Sequence, residues 1–369
     1  MTKKLLPTVI GMILAGGVGV AQADVQLFGQ IDESLIYVNG GEIDDTDGEN
    51  YYDGSNGTAT LVSKGENNTQ LVCSNCRVGV KGSEDLGNGL KALFFLDFEV
   101  DINNSTGLDG RDQWLGLGGN FGQVQAGTMS TVYKAMGAML DPVYDTVAQQ
   151  RNIGLQSNLH NEKGESGEGR ATNTVGYKSP NWNGLQAAAT YTIVNDSVTP
   201  RNPNPYSAGV SYENGGFLVN AAYIDNMTGG DDAAASVGAK WTLNNFAIFG
   251  QFEKDMGLIT ESNTDTLGQD NNGDGADLWM AGGSYTMGNN MLVAAYGQGD
   301  SASTTDDTIA VPPAINQNTS SEQYKSWEVV GVHNFSKRTF DYLGYIGSQV
   351  DDDDVDTLGV YTVGMRHAF

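Results

Sequence analysis

The chain has little cysteine, proline or basic charge. Its 369 residues include two cysteines, eight prolines, and 19 lysines and arginines against 45 aspartates and glutamates, which gives a net charge of −26. We expect no nucleic-acid partner, because phosphate binding needs a basic stripe that this sequence lacks. Beyond residue 23 the sequence also lacks the apolar run of about 18 to 20 residues that a membrane-spanning helix requires. A helical membrane protein is therefore excluded for that part.

Glycine is abundant, and its positions mark turns. With 50 glycines and no segment that combines helical periodicity with helix caps, the sequence predicts an all-β chain. Short turns lie at 82–89, 118–120, 180–184, 213–216, 243–245, 287–290 and 336–338. Long polar stretches lie near 39–69, 102–110, 130–169, 195–204, 225–232, 254–276, 298–325 and 350–357. Seven short turns alternating with eight long loops predict a transmembrane antiparallel β-barrel of about sixteen strands.

The N-terminal segment has the pattern of a secretory signal peptide. Two lysines precede an apolar run over 5–20, and Ala-Gln-Ala at 21–23 forms a cleavage pattern before Asp24. The alternative is a single membrane anchor, although the run is short and rich in glycine. We expect residues 1–23 to be removed on export and residues 24–369 to form one barrel domain.

The last strand alternates in polarity and ends on an aromatic residue. One face carries Tyr361, Val363, Met365 and Phe369, and the other carries Thr362, Gly364 and Arg366. This period of two is typical of a strand with lipid on one side and water on the other.

The first and third strands show the same alternation. Apolar residues at odd positions over 25–37 alternate with polar ones such as Asp32. Glu33 breaks the pattern, and we expect it at a subunit interface or near the outer rim, because a lipid-facing carboxylate at mid-depth is costly. On the third strand Asp97 and Glu99 lie opposite an apolar row. Because such carboxylates cannot sit in a dry core without partners, a watery barrel interior is expected.

Four segments resemble one known family. They are residues 24–32 (DVQLFGQID), 77–92 (RVGVKGSEDLGNGLKA), 114–127 (WLGLGGNFGQVQAG) and 173–180 (NTVGYKSP). Their order and spacing are similar to those of the general trimeric porins of Gram-negative bacteria. Together with the last strand, the resemblance spans essentially the whole chain after residue 23.

The resemblance implies a location, a partner set and a function. A porin of this family is a homotrimer in the outer membrane, in contact with lipid and lipopolysaccharide. It passes small hydrophilic solutes and ions by passive diffusion, without enzymatic activity or a cofactor. The terminal Phe369 then resembles the assembly signal that the barrel-assembly machinery recognises.

The resemblance also implies a pore constriction made by the third long loop. Acids of this loop would face basic residues on the barrel wall, with further acids in the lumen. The candidates are Asp141 and Asp145 on the loop, Arg77, Lys81, Arg111 and Arg170 on the wall, and Asp97 and Glu99 in the lumen. The alternative is that they are solvated lumen or loop charges. The family commonly has Gly-Arg at the end of the fifth strand, whereas this chain has Gly127 followed by Thr128. One basic residue of the wall is therefore missing. With the acidic net charge, this predicts a preference for cations.

Two further patterns suggest cross-linking and metal binding. Cys73 and Cys76 lie three residues apart, so they predict a small disulfide with a turn between them; the alternatives are a redox motif or half of a metal site. Asp270, Asn272 and Asp274 resemble the start of a calcium loop, but the chain lacks the later glutamate. Weak binding of Ca²⁺ or Mg²⁺ by the acidic loops, bridging to lipopolysaccharide, is one interpretation, and solvated loops are the other.

Two other functions are alternatives to the diffusion channel. An outer-membrane hydrolase would need a catalytic constellation, but His160, His333 and His367 are scattered along the chain. A solute-specific porin, for an oligosaccharide or another nutrient, would carry aromatic side chains along the pore. Tyr133 and Tyr144 in the third loop are candidates for such stacking.

Overall fold

The structure, a computed structural model, describes most of the chain after the N-terminal segment. The described residues are 24–39, 51–53, 60–62, 68–103, 107–160, 163–164, 169–194, 204–225, 233–259, 276–300, 309–311, 315–317, 323–350 and 357–369.

Sixteen antiparallel strands form one closed barrel, as the sequence predicts. Strand β2 runs in two segments. The strands are β1 (Asp24–Asn39), β2 (Asn68–Cys73 and Arg77–Gly87), β3 (Leu90–Val100), β4 (Leu108–Gly119), β5 (Gly122–Ser130), β6 (Arg170–Lys178), β7 (Leu185–Thr192), β8 (Tyr206–Asn214), β9 (Phe217–Asp225), β10 (Ala233–Leu243), β11 (Phe246–Met256), β12 (Leu278–Met287), β13 (Asn290–Asp300), β14 (Gln323–Asn334), β15 (Thr339–Val350) and β16 (Leu358–Ala368). Each strand pairs with the next in sequence, and β16 pairs with β1. Closure leaves the barrel wall without an edge.

Short strands also occur in the connections. Tyr51–Asp53 pairs with Thr60–Val62, and Ile309–Val311 pairs with Ile315–Gln317. Lys163–Gly164 runs parallel to the start of β6. The alternation of short turns and long loops matches the sequence prediction.

The two ends of the barrel domain meet at the closing seam. Gln30 lies opposite Ala368 in the register of β1 and β16. Phe369 extends this pairing, because its backbone N–H donates to the Gly29 carbonyl at 3.0 Å and its carbonyl accepts from the Gly29 N–H at 3.3 Å. A side chain at position 29 would collide with the Phe369 ring. The terminal aromatic residue therefore packs directly over Gly29 of the first strand.

The outer face of the barrel is apolar. On β1, Leu27 and Leu35 are exposed, whereas Asp32 and Ser34 on the opposite face of the strand are buried. Aromatic rings cluster on the outer face, where Tyr361 lies 6.2 Å from Tyr37 and 4.7 Å from Tyr345 between ring centroids. Apolar surface with aromatic clusters is typical of the lipid-facing band of a membrane barrel. Glu33 also lies on this face, opposite Cys73 and Met365; its place at a subunit interface or near the outer rim stays a prediction.

The third long loop, which we name L3, packs against the inner wall. It contains helix α1 (Val132–Ala138) and two 3-10 helices, Gln150–Asn152 and Asn158–His160. Among the helices in the described ranges, none has the length and apolar character needed to cross a membrane. Thr131 caps α1, since its hydroxyl accepts from the Lys134 N–H.

An apolar patch on the inner wall explains the position of L3. The loop contributes Leu140, Val143, Val147, Ile153 and Leu155 to this core. Inner-facing side chains of β1, β2, β9 and β11–β16 complete it, including Phe249, Met280, Val293, Val330 and Ile346. Burial of such side chains contributes about 1.5–3 kcal/mol each. The watery interior expected around Asp97 and Glu99 therefore does not extend to this side of the barrel, where L3 covers an apolar wall.

Candidate pore constriction

Glu253 of β11 is the main polar anchor of L3. Its carboxylate accepts hydrogen bonds from the Tyr133 hydroxyl at 2.7 Å, from the Ser157 hydroxyl at 2.6 Å and from the Ser157 backbone N–H at 3.2 Å. His160 Nε2 lies 3.1 Å from the same carboxylate, and Gln251 donates to it at 3.2 Å. A buried carboxylate needs several donors to offset its desolvation. Glu253 thus ties both ends of the loop to one strand.

Further hydrogen bonds fix the backbone of L3 to other strands. The Asn220 amide donates to the Met136 carbonyl at 2.8 Å, and the Lys240 ammonium donates to the Met139 carbonyl at 2.6 Å. On the far side, the Tyr324 hydroxyl donates to the Gly154 carbonyl at 3.0 Å. These contacts hold the loop against β9, β10 and β14.

Asp145 of L3 lies against basic side chains of the wall and of the loop. Its carboxylate lies 3.1 Å from the Arg77 guanidinium and 3.8 Å from that of Arg151. Burial opposes ionisation of Asp145, but the positive charges of Arg77, Arg151 and Arg111 outweigh it and lower the pKa below its ordinary value. Asp145 is therefore a fixed negative charge on the loop.

A disulfide shapes the wall opposite Asp145. Cys73 and Cys76 are disulfide-bonded and interrupt β2 at a tight turn. Asn75 in this turn has a φ of 54° and donates from its side chain to the Asp145 carbonyl at 3.5 Å. Arg77 follows directly after the cross-link. The interruption therefore presents Asn75 and Arg77 together to the same loop residue.

Arg111 of β4 lies between two acids of β3. Its guanidinium is 3.3 Å from Asp97 and 3.1 Å from Glu99, and it is almost fully buried. The register between β3 and β4 shifts at this point, between Leu96 and Phe98, and this irregularity accommodates the group. All three sequence candidates are thus brought together, as one ion-pair cluster.

Arg170 of β6 forms a separate pair with Asp112 of β4. The Arg170 Nε donates to the carboxylate at 2.6 Å, and the Ser130 hydroxyl and N–H donate to it as well, each at 3.2 Å. This pair joins the two strands that flank β5 at the start of L3. Lys134 lies nearby, and burial together with the positive charges of Arg151, Arg170 and Arg111 lowers its pKa well below the ordinary value.

Arg366 of β16 completes the charged wall. Its Nε donates to Asp32 of β1 at 2.8 Å, and the Tyr342 hydroxyl donates to the same carboxylate at 2.7 Å. A second nitrogen of Arg366 donates to the carbonyl of Tyr144 in L3 at 3.3 Å. Arg366 therefore bridges the closing seam and the loop.

Lys81 lies apart from these ion pairs. Its ammonium is 5.2 Å from the ring centroid of Phe28, within the range of a cation–π contact. Phe28 stacks on Phe95 with centroids 4.9 Å apart, and Phe95 stacks on Trp114 at 5.6 Å. Within the described part of the chain, no carboxylate pairs with Lys81. Lys81 is therefore a wall cation beside a three-ring aromatic stack.

Asp141 departs from the prediction. Its carboxylate does not face the basic wall but accepts from the backbone N–H groups of Val143 at 2.9 Å and Gln150 at 2.8 Å. Burial raises its pKa from 3.8 to about 6 despite these two bonds. Asp141 thus holds the fold of the loop itself. Sequence spacing could not show this, because a capping carboxylate and a pore-lining one look alike in a polar loop.

Several residues of the site were not selected from the sequence. Asp32 and Arg366 lay on faces that the alternation assigned to water, so their lumenal position was foreseeable although their pairing was not. Arg151 and Asp112 belong to no sequence pattern that indicated a role in the site. The pairing of Asp32 with Arg366 spans 334 residues, and only closure of the barrel brings such positions together.

The tyrosine candidates for solute stacking are otherwise engaged. Tyr133 is fully buried and bonded to Glu253. Tyr144 is half-buried, and the Arg151 guanidinium lies 4.5 Å from its ring centroid while donating to its hydroxyl at 2.7 Å. Tyr133 is therefore an anchor, and Tyr144 shares its ring with an arginine.

The catalytic and metal-binding alternatives can be compared with the same contacts. Ser157, His160 and Glu253 lie together, but serine and histidine both bond to the carboxylate, whereas a catalytic triad requires a serine that bonds to histidine. Among the described residues, one group has three potential metal ligands, namely Glu33 with Cys73 and Cys76. Because the two sulfurs are joined to each other, they are not thiolate ligands.

Some predicted positions lie outside the described residues. These are the calcium-like positions Asp270, Asn272 and Asp274.

Comparison with known proteins identifies the family. The model of the Gram-negative porin family matches residues 8–353. The chain belongs to this porin family. A closed sixteen-stranded barrel and membership of this family establish an outer-membrane protein of a Gram-negative bacterium, and the relatives of this porin are channel proteins rather than enzymes.

Two relatives illustrate the range of similarity to this porin. Outer membrane porin protein 32 of Delftia acidovorans is 27% identical over 406 aligned residues, which cover 100% of both chains. Major outer membrane protein P.IB of Neisseria meningitidis serogroup A is 31% identical over 218 residues, which cover 58% of this chain and 57% of that protein. The match to this neisserial relative therefore spans just over half of its length.

A solved structure has the same fold. The anion-selective porin from Comamonas acidovorans matches this porin with a TM-score of 0.67 and 22% identity, over 94% of this chain and 100% of that chain. The similarity confirms the predicted barrel.

Proposed function

We propose that the barrel is a water-filled channel for the passive diffusion of small hydrophilic solutes and ions. L3 narrows the lumen, and the charged row along L3 and the facing wall forms the constriction. The expected homotrimer, contacts with lipopolysaccharide and recognition of Phe369 by the barrel-assembly machinery belong to the same proposal. These three expectations rest on membership of the porin family.

The ion pairs favour anion preference over the cation preference expected from the net charge. Five lumenal acids are balanced by five arginines: Asp32 pairs with Arg366, Asp97 and Glu99 share Arg111, Asp112 pairs with Arg170, and Asp145 pairs with Arg77 and Arg151. Lys81 adds a cation for which the described residues provide no carboxylate, and the Arg77 side chain is 26% exposed. Positive charge on the lumen wall that no carboxylate compensates attracts anions.

The net charge of the whole chain is a poor guide to this preference. Much of the acidic excess belongs to sequence in the long outer loops. Such charges act little on the constriction beyond a Debye length of ~8–10 Å. The relative from Comamonas acidovorans, which carries the description anion-selective, supports the same sign of selectivity.

The test is the reversal potential of the refolded protein in planar bilayers under a KCl gradient. We expect a chloride permeability greater than that of potassium. Asp145→Asn removes the loop charge and should raise the chloride preference, whereas Arg77→Gln should lower it. Glu84→Gln, an exposed acid near a short turn, is the control and should leave the potential unchanged. A reversal potential of the opposite sign would overturn anion preference, and absence of conductance would overturn the channel.

A further inference from the structure

We propose that Phe28, Phe95, Trp114 and Lys81 form a lumenal binding site for small aromatic carboxylates. The inference rests on the proposed channel function and extends it to a solute class. It uses a different part of the wall from the arginine and acid pairs of the constriction.

The three rings belong to the inner face of the barrel. Phe28 alternates with lipid-facing Leu27, which is 62% exposed, and Trp114 precedes lipid-facing Leu115, which is 67% exposed. Phe95 lies directly opposite Trp114 in the register of β3 and β4. All three rings are half-buried, so each retains surface that can contact a solute in the lumen.

Glycine on β2 makes the stack continuous. Phe28 and Phe95 are on β1 and β3, with β2 between them, and the Phe28 ring occupies the space that a Cβ at Gly79 would fill. Any side chain at position 79 would separate the two rings. Opposite Trp114 on β5 lies Gly127, which has no side chain to cover the indole from that strand. Gly79 thus allows the rings to stack, and Gly127 leaves the indole uncovered.

Lys81 adds a single positive charge at the Phe28 end. It is four residues from Arg77 toward the short turn, or about 13 Å along the strand. Its ammonium contacts the Phe28 ring, and the described residues offer it no carboxylate partner. A solute anion can therefore pair with Lys81 without displacing a carboxylate of the protein.

The chemistry of the site selects its ligand. A planar ring can stack against phenyl and indole groups at favourable centroid separations of 4.5–7 Å, and a carboxylate can pair with the ammonium. Neutral sugars lack the charge, cationic aromatics are repelled by Lys81, and acetate lacks the ring. A small aromatic monocarboxylate combines the two required groups.

Benzoate is the probe in a bilayer experiment. We expect it to reduce the single-channel chloride current in a saturable way, with a half-blocking concentration roughly two- to tenfold below that of cyclohexanecarboxylate, which has the same charge without an aromatic ring. Acetate at the same concentrations should give no saturable block. Equal blocking by benzoate and cyclohexanecarboxylate would overturn the site.

Single substitutions test whether benzoate blocks the channel at this site. Trp114→Leu should raise the half-blocking concentration of benzoate to that of cyclohexanecarboxylate. Trp279→Leu removes a tryptophan of the outer face, whose ring is tilted against that of Tyr296 with centroids 5.9 Å apart, and should leave the block unchanged. Lys81→Gln should weaken benzoate block, with Lys337→Gln in a short turn as its charge control. Native-like block in Trp114→Leu would overturn the assignment.

A second measurement separates this inference from the channel itself. Isothermal titration of the detergent-solubilised, folded barrel with benzoate measures binding without conductance. Saturable heat that is lost in Trp114→Leu supports the site even if no current flows, and no saturable heat for the native protein overturns it. A conducting channel without benzoate binding leaves the proposed function standing and removes only this inference.

Discussion

Two carboxylates four residues apart in L3 have opposite environments. Asp145 lies among guanidinium groups that lower its pKa, whereas Asp141 is buried among backbone N–H groups and its pKa rises to about 6. Gln150, which donates its backbone N–H to Asp141, also donates from its side chain to the buried Glu328 of β14. The charge of Asp141 is therefore costly to the packed loop.

The pKa of Asp141 predicts a pH dependence of loop packing. A carboxyl of the released loop would titrate near 3.8 and that of the packed loop near 6. Packing is therefore favoured by protonation below about pH 4 and loses this contribution as the pH rises from about 4 to 6, by about 3 kcal/mol in all. We expect fewer brief closures in single-channel records at pH 4.5 than at pH 7.

The variant Asp141→Asn tests the assignment of this effect. Because the amide does not titrate, its closure frequency should not change between pH 4 and 6. Asp341→Asn, an acid on β15 that is not part of the loop, should retain the native pH dependence. A native-like pH response in Asp141→Asn would show that another group is responsible.

Single residues were predicted well where strand alternation fixed them. Arg77, Lys81, Asp97 and Glu99 face the lumen because the period of two assigns every strand residue to one side. Arg111 lies four residues before lipid-facing Leu115 and faces the lumen only because the register between β3 and β4 shifts between them. Inside a loop there is no such period, and this is why Asp141 was assigned to the wrong surface. Ion-pair partners such as Asp112 depend on strand registers that no local pattern reveals.

At the scale of the element, L3 behaves as a lining of the wall. One of its faces covers an apolar patch on β11–β16, and both of its ends bond to Glu253. The polar anchor and the apolar patch act together, because the patch favours contact and Glu253 fixes the position.

Removal of the anchor charge should release the loop. Glu253→Gln leaves one acceptor oxygen for donors that now bond to a carboxylate, and hydrogen bonds to charged groups contribute about 1.5–3 kcal/mol each. We expect trypsin to cleave L3 after Lys134 or Arg151 in the folded barrel, whereas native L3 resists. Cleavage is measured by mass spectrometry.

The matched control is Glu213→Gln, an exposed acid beside the short turn after β8. It should keep native resistance to trypsin. Resistance of Glu253→Gln equal to that of the control would mean that apolar packing alone holds the loop.

The elements themselves were largely predictable. Turn chemistry gave all sixteen strands, because glycine and asparagine at short turns such as Asn88 and Gly89 have positive φ. The turn between Cys73 and Cys76 followed from the cysteine spacing, but the strand segment Asn68–Cys73 before it was not predicted. The apolar inner patch was not predicted, because strand alternation does not show whether the inner face of a strand is covered by a loop.

The whole molecule depends on the seam between β1 and β16. Phe369 contributes two backbone hydrogen bonds to Gly29 and covers this glycine with its ring. Asp32 and Arg366 form an ion pair across the same seam. The last residues of the chain thus close the barrel.

Deletion of Phe369 should weaken closure. Loss of two hydrogen bonds costs about 1–3 kcal/mol, so we expect a smaller folded fraction after refolding, measured by heat-modifiable mobility on gels. Phe335→Leu, an exposed aromatic residue after β14, is the control. If the deletion refolds like the native protein but reaches the outer membrane poorly, Phe369 acts through assembly machinery; native behaviour in both assays would contradict both roles.

The contacts of Arg366 also set an order of events during folding. This side chain holds Asp32, 334 residues away, and the carbonyl of Tyr144, 222 residues away. Contacts over such separations form late, because the intervening chain must first be ordered. L3 can thus reach its final position only once the barrel has closed. The lumen is therefore expected to be wide when the barrel first closes. The constriction is the last part of the molecule to reach its final structure.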